Sequence, residues 1–196
     1  ANITLLSQED VLFSNRLSDV ASTGVGDVLV TALTGALTQA DGARIDGGDG
    51  RVTLQASGAI RTAEVTTGDG TPGVGSDGVT RAIGIRVTSL NDAIQVGRLR
   101  STGRIELLAA TDIIQSNAGI DVGAAIRRLD SAELAAGTIG LQARTGSIGT
   151  SLANPLVVQT TDGSGLEQGS IRGRSAGFYR YTDVSSGGST FIREVS

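Results

Sequence analysis

Gly26-Asp27-Val28-Leu29-Val30-Thr31-Ala32 and Gly50-Arg51-Val52-Thr53-Leu54-Gln55-Ala56 are two copies of one pattern, and that pattern decides the fold. Gly103-Arg104-Ile105-Glu106-Leu107-Leu108-Ala109 and Gly137-Thr138-Ile139-Gly140-Leu141-Gln142-Ala143 repeat it, so the consensus is Gly-x-(Val/Ile)-x-(Leu/Val)-x-Ala. Ala1-Asn2-Ile3-Thr4-Leu5-Leu6-Ser7 is a degenerate first copy. Apolar residues at every second position describe a strand with one buried face, and β-branched side chains favour strand over helix. The inward set is Val28/Val30/Ala32, Val52/Leu54/Ala56, Ile105/Leu107/Ala109 and Ile139/Leu141/Ala143, while outward positions such as Arg51, Thr53 and Gln55 are polar. The alanine that ends each copy marks a place where the wall turns and space is short.

A second short element follows each copy: Ala36-Leu37-Thr38-Gln39, Ala59-Ile60-Arg61-Thr62, Asp112-Ile113-Ile114-Gln115 and Ser147-Ile148-Gly149-Thr150. A third follows in some, where Gln39-Ala40-Asp41-Gly42-Ala43-Arg44-Ile45-Asp46 parallels Gln115-Ser116-Asn117-Ala118-Gly119-Ile120-Asp121, and Asn154-Pro155-Leu156-Val157-Val158 takes the equivalent place later. Successive copies begin 25, 24, 53 and 34 residues apart. The basic coil is therefore about 24 residues, with two coils or a long insertion between Gly50 and Gly103. One ring of two or three short strands cannot bury its apolar face, but stacked rings enclose a continuous core. Glycine, asparagine and aspartate at the corners supply turn conformations. The expected fold is all-β: a parallel β-helix, right-handed because parallel crossovers prefer that hand. A β-sandwich also gives short strands with frequent turns, but it does not repeat one seven-residue pattern in one phase.

Two segments break the period. Residues 66–78, from Thr66 through Gly68-Asp69-Gly70 to Gly78, form a glycine-rich excursion expected to bulge from a corner as a loop; strand character resumes at Gly84-Ile85-Arg86-Val87 and Ala93-Ile94-Gln95-Val96. The stretch from Phe178 to Arg193 reads as a hairpin about Gly187-Gly188. The expected organisation is thus a repeat region over 1–175 and an aromatic hairpin over 176–196, serving as cap or extension.

Composition removes many functions. The 196 residues include no Cys and no His, so the usual zinc, haem and iron–sulfur ligands and the Ser-His-Asp and Cys-His arrangements are missing. All 16 basic residues are arginine, which removes Schiff-base chemistry and the phosphate-loop lysine. The 29 glycines are roughly twice the usual ~7%, yet apolar content is ordinary and only two prolines occur, which excludes collagen and a disordered linker. A net charge of −4 argues against a nucleic-acid partner, and no apolar run approaches a membrane span. The first residues lack a signal-peptide pattern and already read as strand, so the chain is expected to be a piece of a longer protein.

The repeated rung, and above all Thr145-Gly146-Ser147-Ile148-Gly149-Thr150-Ser151-Leu152-Ala153-Asn154-Pro155-Leu156-Val157-Val158, resembles the repeat region of filamentous haemagglutinin-like proteins, very large bacterial surface or secreted adhesins. In that family an Ile-Gly-(Thr/Ser) step, a short gap and Asn-Pro-Leu leading into a strand form a recurrent rung. The resemblance spans about residues 1–175. It implies a right-handed β-helical shaft, exported to the cell surface or beyond, holding an adhesive region away from the cell. The sequence departs from the family in lacking the amino-terminal secretion domain, and the segment after residue 175 has no counterpart there.

Each candidate site has a plainer role beside it. Asp46-Gly47-Gly48-Asp49-Gly50 and Thr67-Gly68-Asp69-Gly70-Thr71 invite calcium, but the nonapeptide calcium repeat needs aspartate where Arg51 stands, so turn chemistry is preferred and no cofactor is expected. Gly68 to Gly78 has neither the lysine nor the strand-to-helix context of a phosphate loop. A polysaccharide-active β-helix enzyme is the catalytic alternative, with Glu106 outward, Asp112 and Asp121 at corners, and Arg51 and Arg104 on the strand exterior. A row of carboxylates and arginines on one groove-forming face would favour it; Thr/Gln/Arg-studded faces favour a shaft. The missing sugar-stacking aromatics count against it, and no catalytic residue is assigned. The candidate interaction surface is Phe178, Tyr179, Arg180, Tyr181 and Phe191, with Arg174 and Arg193 nearby, a composition found at interface centres. The same aromatics serve equally well as a cap on the open helix end. The expected function is a structural or adhesive shaft at the bacterial surface or outside the cell. Its partners are a host-cell or matrix glycan or protein, or copies of itself stacked end to end into a fibre.

Overall fold

The computed structural model describes residues 1–14, 19–68, 70–74, 78, 80–116, 126–128, 139–159 and 184–194. Among them there is no helix, and nearly all strand pairing is parallel. The chain visits three sheets in strict rotation. The first round is β1 (Ile3–Ser7), β2 (Val11–Phe13) and β3 (Val20–Ala21); the second is β4 (Val28–Ala32), β5 (Leu37–Gln39) and β6 (Arg44–Asp46). The third is β7 (Val52–Ala56), β8 (Ile60–Arg61) and β9 (Glu64–Thr67), after which β10 (Thr71–Val74) interrupts. Then come β11 (Thr80–Ser89), β12 (Ile94–Val96) and β13 (Arg98–Ser101), followed by β14 (Arg104–Ala109), β15 (Ile113–Gln115) and β16 (Ile126–Arg128). In the last two rounds, β17 (Ile139–Ala143) and β19 (Val184–Ser186) join the first sheet, β18 (Leu156–Gln159) and β20 (Ile192–Glu194) the third, and Ile148 and Thr190 make single bridges continuing the second. We call these sheets A, B and C in that order. Parallel strands stacked in this rotation fit a β-helix.

The repeat copies occupy sheet A in register. Leu5, Val30, Leu54, Val87, Leu107, Leu141 and Val184 form one column of Cα partners. From Val30 onward every member is buried, and one cluster joins them to Leu37, Ile60 and Ile94 of sheet B and Ile45, Val65 and Leu99 of sheet C. The column that ends each strand reads Ser7, Ala32, Ala56, Ser89, Ala109, Ala143, Ser186. It accepts only small residues because the chain turns toward sheet B there. Where serine replaces alanine its hydroxyl is used at the turn: Ser89 Oγ donates to the Gly58 carbonyl at 2.8 Å.

Repeat glycines answer a packing need rather than a turn conformation. A Cβ on Gly50 would collide with the Gly26 carbonyl, and one on Gly26 with the Ala1 carbonyl. Stacked rounds approach too closely there for any side chain. Gly48, by contrast, has φ +57°, a left-handed turn that favours glycine.

Polar side chains at the corners tie each round to the next. Asn2 Oδ1 accepts the Asp27 amide at 3.0 Å, and Asp27 Oδ1 accepts the Arg51 amide at 2.9 Å. Asp10 and Asp19 do the same for Ala36 and Arg44. Where B leads into C, Gln39 Oε1, Thr62 Oγ1 and Gln115 Oε1 accept the amides of Ala63, Gly97 and Val157. Gln39 is fully buried, yet its Nε2 also donates to the Glu64 carbonyl at 3.2 Å. Corner amides that cannot join a ladder are thereby satisfied.

One open alternative is decided and two expectations change. The interval between Gly50 and Gly103 holds an additional round, since β11 pairs with β7 on one side and β14 on the other. The glycine-rich excursion is partly paired: β9 lies within sheet C, and β10 forms an antiparallel hairpin with the start of β11, Thr71 opposite Ile83 and Val74 opposite Thr80. Among the described residues the expected hairpin about Gly187-Gly188 is not formed. β19 pairs in parallel with β17 and β20 with β18, so the described part of the C-terminal segment continues the three sheets. A further difference lies in the round of β14, whose third strand is Ile126–Arg128; Ile120 and Asp121 fall outside the described residues.

Leu54→Asp or Leu107→Asp should abolish cooperative melting followed by circular dichroism, because the new carboxylate has no partner in an apolar core. Gly50→Ala should cost about 1–3 kcal/mol in urea unfolding through forced separation of two rounds, whereas an unchanged midpoint would show that the rounds are looser than described.

Candidate functional site

Sheet C carries a groove on its outer face. Short strands of charged-apolar-polar triplets build it: Arg44-Ile45-Asp46, Glu64-Val65-Thr66 and Arg98-Leu99-Arg100. The middle residue of each is buried in the core, so the strand pleat sends its two neighbours to the opposite face. Register then sorts them into columns. Arg44, Glu64 and Arg98 are successive Cα partners, as are Asp46, Thr66, Arg100 and Arg127. The cavity measures about 430 Å³ and is lined by Arg44, Asp46, Glu64, Thr66 and Arg100 beside the corner glycines Gly48 and Gly68.

Within it, Arg44 Nη2 donates to Asp46 Oδ2 at 2.8 Å and to Thr66 Oγ1 at 3.3 Å, while Asp46 Oδ1 accepts the Gly48 amide at 3.0 Å. Asp46 therefore holds its own turn in the stretch that invites calcium. Asp69 of the second calcium candidate lies outside the described residues, and among the described residues no cluster of three acidic side chains could hold a metal.

Sheet A carries a second charged cluster, and it is buried. Glu106 Oε2 accepts from Arg86 Nη2 at 2.7 Å and Nε at 3.0 Å, while Glu106 Oε1 accepts from Arg104 Nε at 2.7 Å. The side chains of Arg104 and Glu106 are 0% and 1% exposed. Glu106 and Arg104 were expected on the solvent face, and the structure corrects this: alternation gives the side of the sheet but not what covers that side. Gly140, the Cα partner of Glu106, leaves room for the Arg104 guanidinium, which a Cβ there would meet. Arg86 Nη2 also donates to the Val74 carbonyl, so the β10 hairpin is tied to the cluster.

The remaining acidic and basic candidates have structural partners. Asp112 Oδ1 accepts the Ser147 amide at 2.6 Å, and Arg51 pairs with Asp27 at 3.3 Å. Asp121 lies outside the described residues, as do Arg174, Phe178, Tyr179, Arg180 and Tyr181. Phe191 is half-buried in the link from Thr190 to β20; its amide donates to the Ile148 carbonyl at 2.6 Å and its carbonyl accepts from Leu156 at 2.9 Å. Arg193 stands in β20 as the Cα partner of Val157. Sequence reading missed the sheet C groove, although the recurrent charged-apolar-polar triplets were its signal.

Comparison with protein-family models, with curated proteins and with solved structures found no match.

Glu106→Ala should destabilise the fold by about 3–5 kcal/mol, because it strands a buried guanidinium. Glu64→Ala, on the more open face of sheet C, should cost under ~1 kcal/mol. Chemical denaturation of the two variants side by side reads the difference.

Proposed function

We propose that this chain is a non-catalytic shaft: a right-handed parallel β-helix with coils of about 24 residues, part of a large exported bacterial surface protein of the filamentous haemagglutinin type. The observation that carries the reading is the A-B-C rotation, resumed after the β10 insertion, with the repeat copies in register. Such a stack is held along its length by one continuous parallel ladder, which suits a rod that bears load or spaces a binding region from a surface. The fates of the enzyme candidates support it, since Arg104 and Glu106 are buried with each other, Asp112 serves a backbone amide and Arg51 serves Asp27. In this reading the shaft works outside the cell or on its surface and meets a host-cell or matrix glycan or protein.

Self-assembly end to end into a fibre or matrix is the second reading. It is favoured by the stack itself, because each round offers the same parallel ladder and the same inward column to any round that continues it in register.

Negative-stain electron microscopy over a concentration series, with light scattering, separates the two. Short monodisperse rods are expected for the shaft. Long unbranched fibres of one stack's width would make end-to-end assembly the primary role, and compact round particles would overturn both.

A further inference from the structure

We infer that the β10 hairpin is a longitudinal clamp: it ties together rounds of the stack that do not touch one another, so that the rounds of β4, β7, β11 and β14 separate only as a unit. The inference goes beyond the shaft reading and holds whatever the shaft presents.

A stack of rounds bonds nearest neighbours only, so its stability is a sum of local steps and it can come apart one round at a time. In sheet A, β4 pairs with β7 and β7 with β11, but β4 does not reach β11. The hairpin bypasses that rule. β10 pairs with the start of β11, yet Thr71 Oγ1 lies 3.3 Å from both carboxylate oxygens of Asp27, the residue that leads into β4. The next contact is with Arg51, which leads into β7: a Cβ on Gly73 would stand 2.9 Å from Arg51 Nη1, and Arg51 itself pairs with Asp27. On the far side the Val74 carbonyl accepts from Arg86 of β11, whose guanidinium also holds Glu106 of β14. Four strands in a row are thus linked through one insertion, across three spacings of roughly 4.8 Å each.

Position and composition fit the same role. β11 shifts register against β14 between Ile83 and Ile85, and a ladder interrupted in this way gains most from a second tie. Ile83, at that step, is fully buried, and a Cβ on Gly73 would stand 3.2 Å from its Cδ1, so the hairpin packs directly on the irregular place. β10 is also a poor template for another chain, because Pro72 has no amide to donate and the Val74 carbonyl is taken by Arg86. The charges beneath it turn inward: Glu106 engages both Arg86 and Arg104. The hairpin's polar groups are therefore directed at the stack and not at a ligand.

The test compares the whole chain with two variants. In the first, residues 67–84 are replaced by Gly-Gly-Asp-Gly-Arg, the connection that residues 47–51 make between the same two sheets one round earlier, so that the chain passes from Thr66 straight to Ile85. In the second, Thr71→Val removes only the hydroxyl that reaches Asp27. Urea unfolding followed by stopped-flow circular dichroism should run at least about tenfold faster in the first and roughly threefold faster in the second. Gln95→Ala, exposed on sheet B, should leave the rate unchanged. Hydrogen exchange should show the amides of β4, β7, β11 and β14 opening at one common rate in the parent and at separate rates in the clampless chain. A clampless chain that folds and then unfolds at the parent's rate would overturn the inference and leave the hairpin a passive insertion, and so would separate opening rates in the parent. Should the clampless chain not fold, Thr71→Val decides alone, and unfolding at the parent's rate overturns the clamp. Rods or fibres in the microscope answer a different question, so loss of the clamp leaves the shaft standing.

Discussion

Everything in this molecule depends on one ladder between rounds. At the entry to sheet B the amides of Val11, Leu37, Ile60, Ile94, Ile113 and Ile148 donate in turn to the carbonyls of Ala36, Ala59, Ala93, Asp112, Ser147 and Ser189, each at 2.8–3.0 Å. Every round must return to the same place in the same register for the bond to form. A shift of one residue would send the inward column outward. The constraint explains why the strands are short and why the columns are uniform. It also explains why variation is pushed into the connections.

The small-residue column and the stacked glycines are consequences. Ala32, Ala56, Ala109 and Ala143 stand where the wall turns, and Gly26 and Gly50 where two rounds nearly touch. The β10 hairpin is the counterpart: an insertion between β9 and β11 that leaves the ladder intact on either side, because β11 still pairs with both β7 and β14. It is fastened through Thr71 to Asp27 and through the Val74 carbonyl to Arg86. Corner carboxylates and amides are consumed in this bookkeeping of backbone groups, which leaves few of them for chemistry.

The outer faces differ in what they do with charge. On sheet A, Glu106 and Arg104 are buried and the partly exposed Arg86 completes their cluster, with desolvation offset by short, charge-assisted hydrogen bonds. On sheet C Arg44, Asp46, Glu64 and Arg100 line an open groove. Similar residue types are thus buried against one another on one face and stay open to solvent on the other. The distinction lies in coverage, not in composition.

The sequence by itself determined the strand character, the inward columns and the stacking of like on like. Gly-x-Val-x-Leu-x-Ala encodes period, polarity and a small residue at the turn within seven positions, all local properties. It also placed β12 at Ala93-Ile94-Gln95-Val96 and β18 at Leu156-Val157-Val158. Only the tertiary structure decided the rest. Ser89 in place of alanine left two coils and a long insertion both open between Gly50 and Gly103 until the pairing of β11 decided it, and the pairing partners of β19 and β20, rather than the turn signal at Gly187-Gly188, set the path of the chain end. Burial of Glu106 and assembly of the Arg44–Glu64–Arg98 column were equally illegible. Each depends on which residues from distant rounds become neighbours, and spacings interrupted by insertions do not encode that.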